Sequence, residues 1–65
     1  MKTLTGTFKS IDTVRNAVDD LVSTGIDREK VFADEEHTQV KVMIPDAIEP
    51  EIKEILQRHN PTEIH

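Results

Sequence analysis

Apolar and polar positions alternate along the first stretch of the chain. Leu4, Gly6 and Phe8 fall on one side and Thr3, Thr5, Thr7 and Lys9 on the other, a period of two that predicts a half-buried strand. The period then changes: Ile11, Val14, Ala17, Val18, Leu21 and Val22 recur at helical spacing, which predicts a helix with one apolar face. Ser10 offers a side-chain oxygen for its N-cap and Asp12 an anion for the positive end of the helix dipole. Gly25 marks its end, because a residue without a Cβ takes the left-handed conformation that satisfies the last carbonyls, with Ile26 as the apolar partner of that cap.

The second half repeats the cycle. Val31 to Asp34 is a short apolar run, Glu35, Glu36 and His37 form a charged turn, and Thr38 to Ile44 alternates with Val40, Val42 and Ile44 on one face. This pattern predicts a hairpin. Pro45 ends it, since proline cannot donate to a sheet ladder. Asp46 with Glu49 three residues later has the form of a capping box with Asp at the cap. Ile48, Ile52, Ile55 and Leu56 give a second apolar stripe, with Pro50 in the first turn, where proline is tolerated. Asn60 and Pro61 close that helix, and Thr62 to Ile64 can add a last short strand.

Two strand–helix–strand units in series, with no linker and no low-complexity stretch between them, define one domain over residues 1–65. The expected fold class is α+β: a ferredoxin-like βαββαβ two-layer sandwich, an antiparallel sheet with two helices on one face. Strands one and three would be central, strands two and four at the edges, and the crossovers right-handed. The expected core is Leu4, Phe8, Val14, Val18, Leu21, Val31, Val40, Val42, Ile44, Ile52, Ile55 and Leu56. No helix covers the other sheet face, which would carry Thr5, Thr7, Phe32, Gln39, Lys41 and Met43. Phe32 and Met43 on adjacent strands, bordered by threonines, admit two readings: a self-association or partner surface, or an incidental patch. Either edge strand is open to a partner strand by β-augmentation.

Composition narrows the function classes. A chain of 65 residues buries only about 60% of the surface its unfolded form exposes, so a deep substrate cavity is not expected. Small domains draw extra stability from disulfides, metals or oligomerisation. The chain has no cysteine, which excludes disulfides and thiolate metal sites and leaves oligomerisation. The net charge of −5 and the presence of only two aromatic residues, Phe8 and Phe32, argue against a nucleic-acid surface, which needs clustered cations and stacking platforms. The N-terminal residues lack the apolar core of a signal peptide, and no run approaches the roughly 20 apolar residues of a membrane span. Those absences give the expectation of a cytoplasmic protein that does not bind membranes.

Candidate chemistry is sparse. Asp34, Glu35, Glu36 and His37 offer oxygens and an imidazole, but their spacing fits neither an EF-hand loop nor an HExxH helix. A solvated hairpin end accounts for them. The histidines His37, His59 and His65 fall on a turn, a helix end and the C-terminus, and His59 beside Arg58 suits the negative end of a helix dipole. Ser10 and Ser23 have no His and Asp at readable positions for a triad. Asp19 and Asp20 lie on the polar side of the first helix, where nothing desolvates either carboxyl as a glycosidase acid requires. No glycine-rich phosphate loop is present. The expectation is a protein that is not an enzyme and uses no cofactor or metal.

The first half, in Gly6-Thr-Phe8, Ala17-Val18-Asp-Asp-Leu21, Gly25-Ile26 and Lys30-Val31, resembles the small bacterial general-stress or heat-induced-stress protein domain. There a strand, an alanine-rich helix and a glycine turn follow one another in a similar way, and the resemblance implies a bacterial stress-response setting. The expected fold is also similar to heavy-metal-associated domains, but those need a CxxC pair after the first strand, where this chain has Phe8-Lys-Ser-Ile11. It is similar as well to small-molecule-sensing regulatory domains, which pair and hold ligands at the junction. The leading functional expectation is a protein-interaction module, a homodimer or a partner of another protein, using the open sheet face or an edge strand with Thr5, Thr7, Phe32, Lys41 and Met43. The alternative is a small regulatory domain binding a metabolite or cation at a dimer interface.

Overall fold

In the computed structural model, which describes residues 1–65, the chain runs β1 (Lys2–Thr7), α1 (Ile11–Thr24), β2 (Val31–Asp34), β3 (Gln39–Ile44), α2 (Glu49–Gln57) and β4 (Glu63–Ile64). Single 3-10 turns at Arg28–Lys30 and Asp46–Ile48 lead into β2 and α2. The strands form one antiparallel sheet in the order β2-β3-β1-β4. This is the ferredoxin-like βαββαβ sandwich with β1 and β3 central, and the last strand is present at its edge.

Local chemistry sets the ends of α1. Ser10 is extended (φ −143°), and its Oγ accepts the Thr13 N–H at 3.2 Å. At the other end Gly25 has φ +116°. Its N–H donates to the Val22 carbonyl at 3.1 Å and that of Ile26 to the Leu21 carbonyl at 3.2 Å, the paired bonds of a Schellman motif. Ile26 then folds back onto the core.

The start of α2 differs from the expected capping box. Neither the residue before the Asp46–Ile48 turn nor the one before α2 caps with its side chain. The Glu49 carboxylate turns instead to Lys2 Nζ at 2.9 Å and Lys53 Nζ at 3.3 Å. Two ammonium groups hold a carboxylate more strongly than one backbone N–H, so the charge pairing wins. β1 also ends sooner than expected, at Thr7, and β3 begins at Gln39. Thr38 belongs to the turn with φ +50°, a costly conformation for a β-branched residue. Its Oγ1 donates to the Phe8 carbonyl at 2.7 Å while the Phe8 N–H donates to the Thr38 carbonyl at 2.8 Å. The hairpin end is thereby tied to the end of β1.

Eleven apolar residues form the core: Leu4, Phe8, Val14, Ala17, Leu21, Val40, Val42, Ile44, Ile52, Ile55 and Leu56. Each large side chain among them contributes roughly 1.5–3 kcal/mol through burial. The Phe8 ring lies over Gly6, where a Cβ would come within 3.1 Å of Cε2, so the glycine makes room for the aromatic ring. Val18 and Val31, expected inside, are half-buried at the rim, and Ala17 takes the central place. Residues 14, 17 and 21 describe one stripe of α1, and Val18 and Ile11 lie beside it; Ile11, in the first turn, is 38% exposed.

Candidate interaction surface

The sheet face away from the helices collects the polar side of every strand. Register places Thr7 across from Gln39, Thr5 across from Lys41 and Thr3 across from Met43. Phe32 faces Lys41 and Asp34 faces Gln39 from the other side of β3. On the far side of β1, Thr7 pairs with Glu63. Thr5 and His65 exchange backbone bonds at 2.6 and 2.8 Å. Two complete rows cross the face: Asp34, Gln39, Thr7, Glu63, and Phe32, Lys41, Thr5, His65. Thr5, Thr7, Phe32, Lys41 and Met43 therefore do share one surface.

Phe32 and Met43 stand on adjacent strands, as expected. They are diagonal, not opposite, because Lys41 occupies the site across from Phe32. Met43 is half-buried, whereas Phe32 is 51% exposed at the β2 edge. The apolar character is thus concentrated at that edge and fades toward β4. Along the upper row the Gln39 Nε2 donates to Thr7 Oγ1 at 3.3 Å, which leaves that row polar and internally satisfied.

The edge strand β2 is bordered by a shallow cleft of about 370 Å³ between it and α1, lined by Arg15, Val18, Asp19, Arg28, Ala33 and Glu35. Arg15 Nε donates to Glu35 Oε2 at 3.3 Å. Arg28 and Asp19 have no ion pair within the chain. Sequence reasoning passed over Arg15, Arg28 and Ala33. The spacing of Arg15 and Asp19, four apart on α1, was the one readable signal. A second cleft of about 360 Å³ runs beside β4 along Gln57, Asn60, Pro61, Thr62, Glu63 and Ile64, with a single large apolar side chain.

The titratable groups are dispersed. At the hairpin the Asp34 carboxylate accepts from the His37 ring at 2.9 Å and from its backbone N–H at 3.2 Å. Those bonds hold Asp34 below the usual carboxylate range, with the positive charge of Lys41 assisting. The hydrogen bond between Lys2 and Glu49 raises the proton affinity of the ammonium and lowers that of the carboxylate. His59 does more than face a helix end: its Nε2 meets Asp20 Oδ2 at 3.0 Å, joining α2 to α1, with Arg58 Nη1 at 3.9 Å. Asp20 is accordingly half-buried and bonded, not free on a polar face. His65 pairs with Glu63 at 3.5 Å. The three histidines sit in three separate places, and no three His, Asp or Glu side chains come together at a spacing suited to a metal ion.

No helix is long and apolar enough to cross a membrane. No family model, curated protein or solved structure matches the chain.

Proposed function

We propose that this protein is a non-enzymatic interaction module that acts as a homodimer, using the β2 side of its open sheet face. The observation that carries the reading is Phe32, a large aromatic side chain left 51% exposed on a face that no helix covers. The rest of the chain's large apolar side chains are mostly folded inward, and no buried side-chain polar atom lacks a partner. An uncovered apolar edge on an otherwise satisfied molecule is what an interface supplies and a catalytic centre does not. The small size points the same way, since a chain of 65 residues gains from a second copy the burial it cannot make alone. Through the resemblance of its first half, the reading extends to a role among bacterial stress proteins.

The test is the molar mass of Phe32→Asp by light scattering beside the parent chain. Loss of the dimer with an unchanged circular-dichroism spectrum is the expected result. Equal masses for the two proteins at every concentration would remove Phe32 from the interface.

A further inference from the structure

The two edges of the sheet are unlike. β4 has two residues and follows Pro61, while β2 has four, Val31-Phe-Ala-Asp34, with neither proline nor lysine to blunt it. Exposed edges of this kind are templates for another strand. The direction of its free groups follows from the ladder. Thr5 exchanges both bonds with His65, and Phe8 donates to Thr38. In an antiparallel sheet alternate residues bond to opposite sides, so Val40 and Val42 turn toward β1, and Gln39 and Lys41 toward Asp34 and Phe32. Val31 and Ala33 therefore aim outward. The Val31 N–H is taken by the Arg28 carbonyl, which leaves the Val31 carbonyl and both groups of Ala33.

The charges around this strand are arranged for self-pairing. Arg28 and Lys30 precede it, interleaved with Asp27 and Glu29, while Asp34 closes it and Glu35 and Glu36 follow it. Antiparallel pairing of two copies brings Arg28 and Lys30 of each to the Asp34–Glu36 end of the other, with Glu29 beside Glu35 as the one like-charged match. Arg28, Lys30 and Glu36 make no ion pair within the chain, so these charges remain available. A parallel arrangement would set like charges together, which is unfavourable across neighbouring strands.

We propose that two copies join β2 to β2 about a twofold axis through Phe32, forming one eight-stranded antiparallel sheet in which Ala33 of each chain bonds to Val31 of the other. The proposal rests on the self-association reading above and specifies its geometry. With the axis at Phe32, the outward residues 31 and 33 face each other, so each Ala33 N–H donates to a Val31 carbonyl. The two Phe32 rings become a cross-strand pair in a non-hydrogen-bonded site, where side chains approach closest. Beyond the paired strands, the turn that carries Arg28 and Lys30 comes near the Asp34 and Glu36 end of the second copy. On the helical side α1 packs on β2, so the two α1 helices come side by side over the seam and their charged clefts merge. The same patch serves both chains, as an isologous interface requires.

Two variants test the seam in the full chain. Ala33→Pro removes an N–H that no intramolecular ladder bond uses, so the monomer keeps its fold. Phe32→Cys introduces the only thiol, at a cross-strand site whose Cα separation of about 4.5 Å lies within disulfide reach. The expected results are loss of the dimer in Ala33→Pro with an unchanged circular-dichroism spectrum and a melting temperature that no longer rises with concentration as the parent's does, and a disulfide-linked dimer as the main product of Phe32→Cys on mild oxidation, but not of Thr5→Cys at the middle of the face. If the parent chain is dimeric, Ala33→Pro stays dimeric and Phe32→Cys links no better than Thr5→Cys, the seam is overturned while self-association stands. If Ala33→Pro fails to fold, the cross-linking comparison decides alone. A parent chain that is monomeric at every concentration overturns both the seam and the reading beneath it.

Discussion

The two faces of the sheet are made from the same strands and have opposite characters. On the helical side Leu4, Val40, Val42 and Ile44 are closed over by Val14, Ala17 and Leu21 of α1 and Ile52, Ile55 and Leu56 of α2. On the other side the alternate residues of those strands, Thr5, Thr7, Gln39, Lys41 and Met43, meet no second layer. Since side chains along a strand alternate strictly, one set of backbone bonds supports both surfaces. That contrast separates what folds the molecule from what is free to recognise something: stability resides in one face, and substitutions on the other are expected to have little effect on folding.

The strongest test of that division is a cavity in the covered face. Leu21→Ala or Ile52→Ala, at positions with essentially no exposure, costs about 2–5 kcal/mol, and the urea midpoint of unfolding measures it. For a domain this small, such a loss removes much of the total stability. A smaller effect is expected at the end of α1. Gly25→Ala places a Cβ at φ +116°, where an L-residue is strained by roughly 1–2 kcal/mol. Space is not the issue there, because nothing lies within 4 Å of the added Cβ, so the cost reads backbone conformation alone.

Weaker still are the ion pairs at the rim, which are visible chiefly through pH. Asp34 and Glu49 have their proton affinities lowered by folding. Groups of that kind add stability above their unfolded values and lose it as the pH falls through their folded ones. The melting temperature is therefore expected to decline on acidification below about pH 4, and the acid limb to flatten in Asp34→Asn and Glu49→Gln. Lys2 is raised above 10.5, so its share of the Glu49 pair is present through neutral pH and is lost only as the pH rises past that folded value. The smallest effect belongs to the open face itself. Lys41→Ala is expected within about 0.5 kcal/mol of the parent in unfolding free energy; a larger destabilisation would mean that the open face contributes to folding.

Most of the fold was legible because it was written locally. The period-two strands, Ser10, Gly25 and the stripe through Val14 and Leu21 each announce themselves within a few residues. The faults fell where a distant group decided the outcome. The spacing of Glu49 from Asp46 points to a cap, but Lys2, 47 residues away, claims its carboxylate. The helical pattern puts Asp20 on a solvent face, because nothing in α1 shows that His59 will arrive from beyond α2. Thr38 fits the strand pattern, and its positive φ goes with bonds to Phe8 beyond the end of β1, outside the hairpin. The composition of the open face was legible down to the residue, since alternation alone places Thr5, Thr7, Phe32, Lys41 and Met43 together. Its internal arrangement was not, because register between β2 and β3 depends on the length of the turn. The unequal edges likewise emerge only once the strand order is known.

Whether the uncovered β2 side of the sheet joins two copies of the chain is decided by the molar mass of the unmodified protein, measured by light scattering across a wide concentration range. Self-association through that side requires twice the chain mass of 7.4 kDa at the upper concentrations, declining toward the single-chain value on dilution. A mass of 7.4 kDa throughout would show that Phe32 and the β2 edge do not pair the chain with itself.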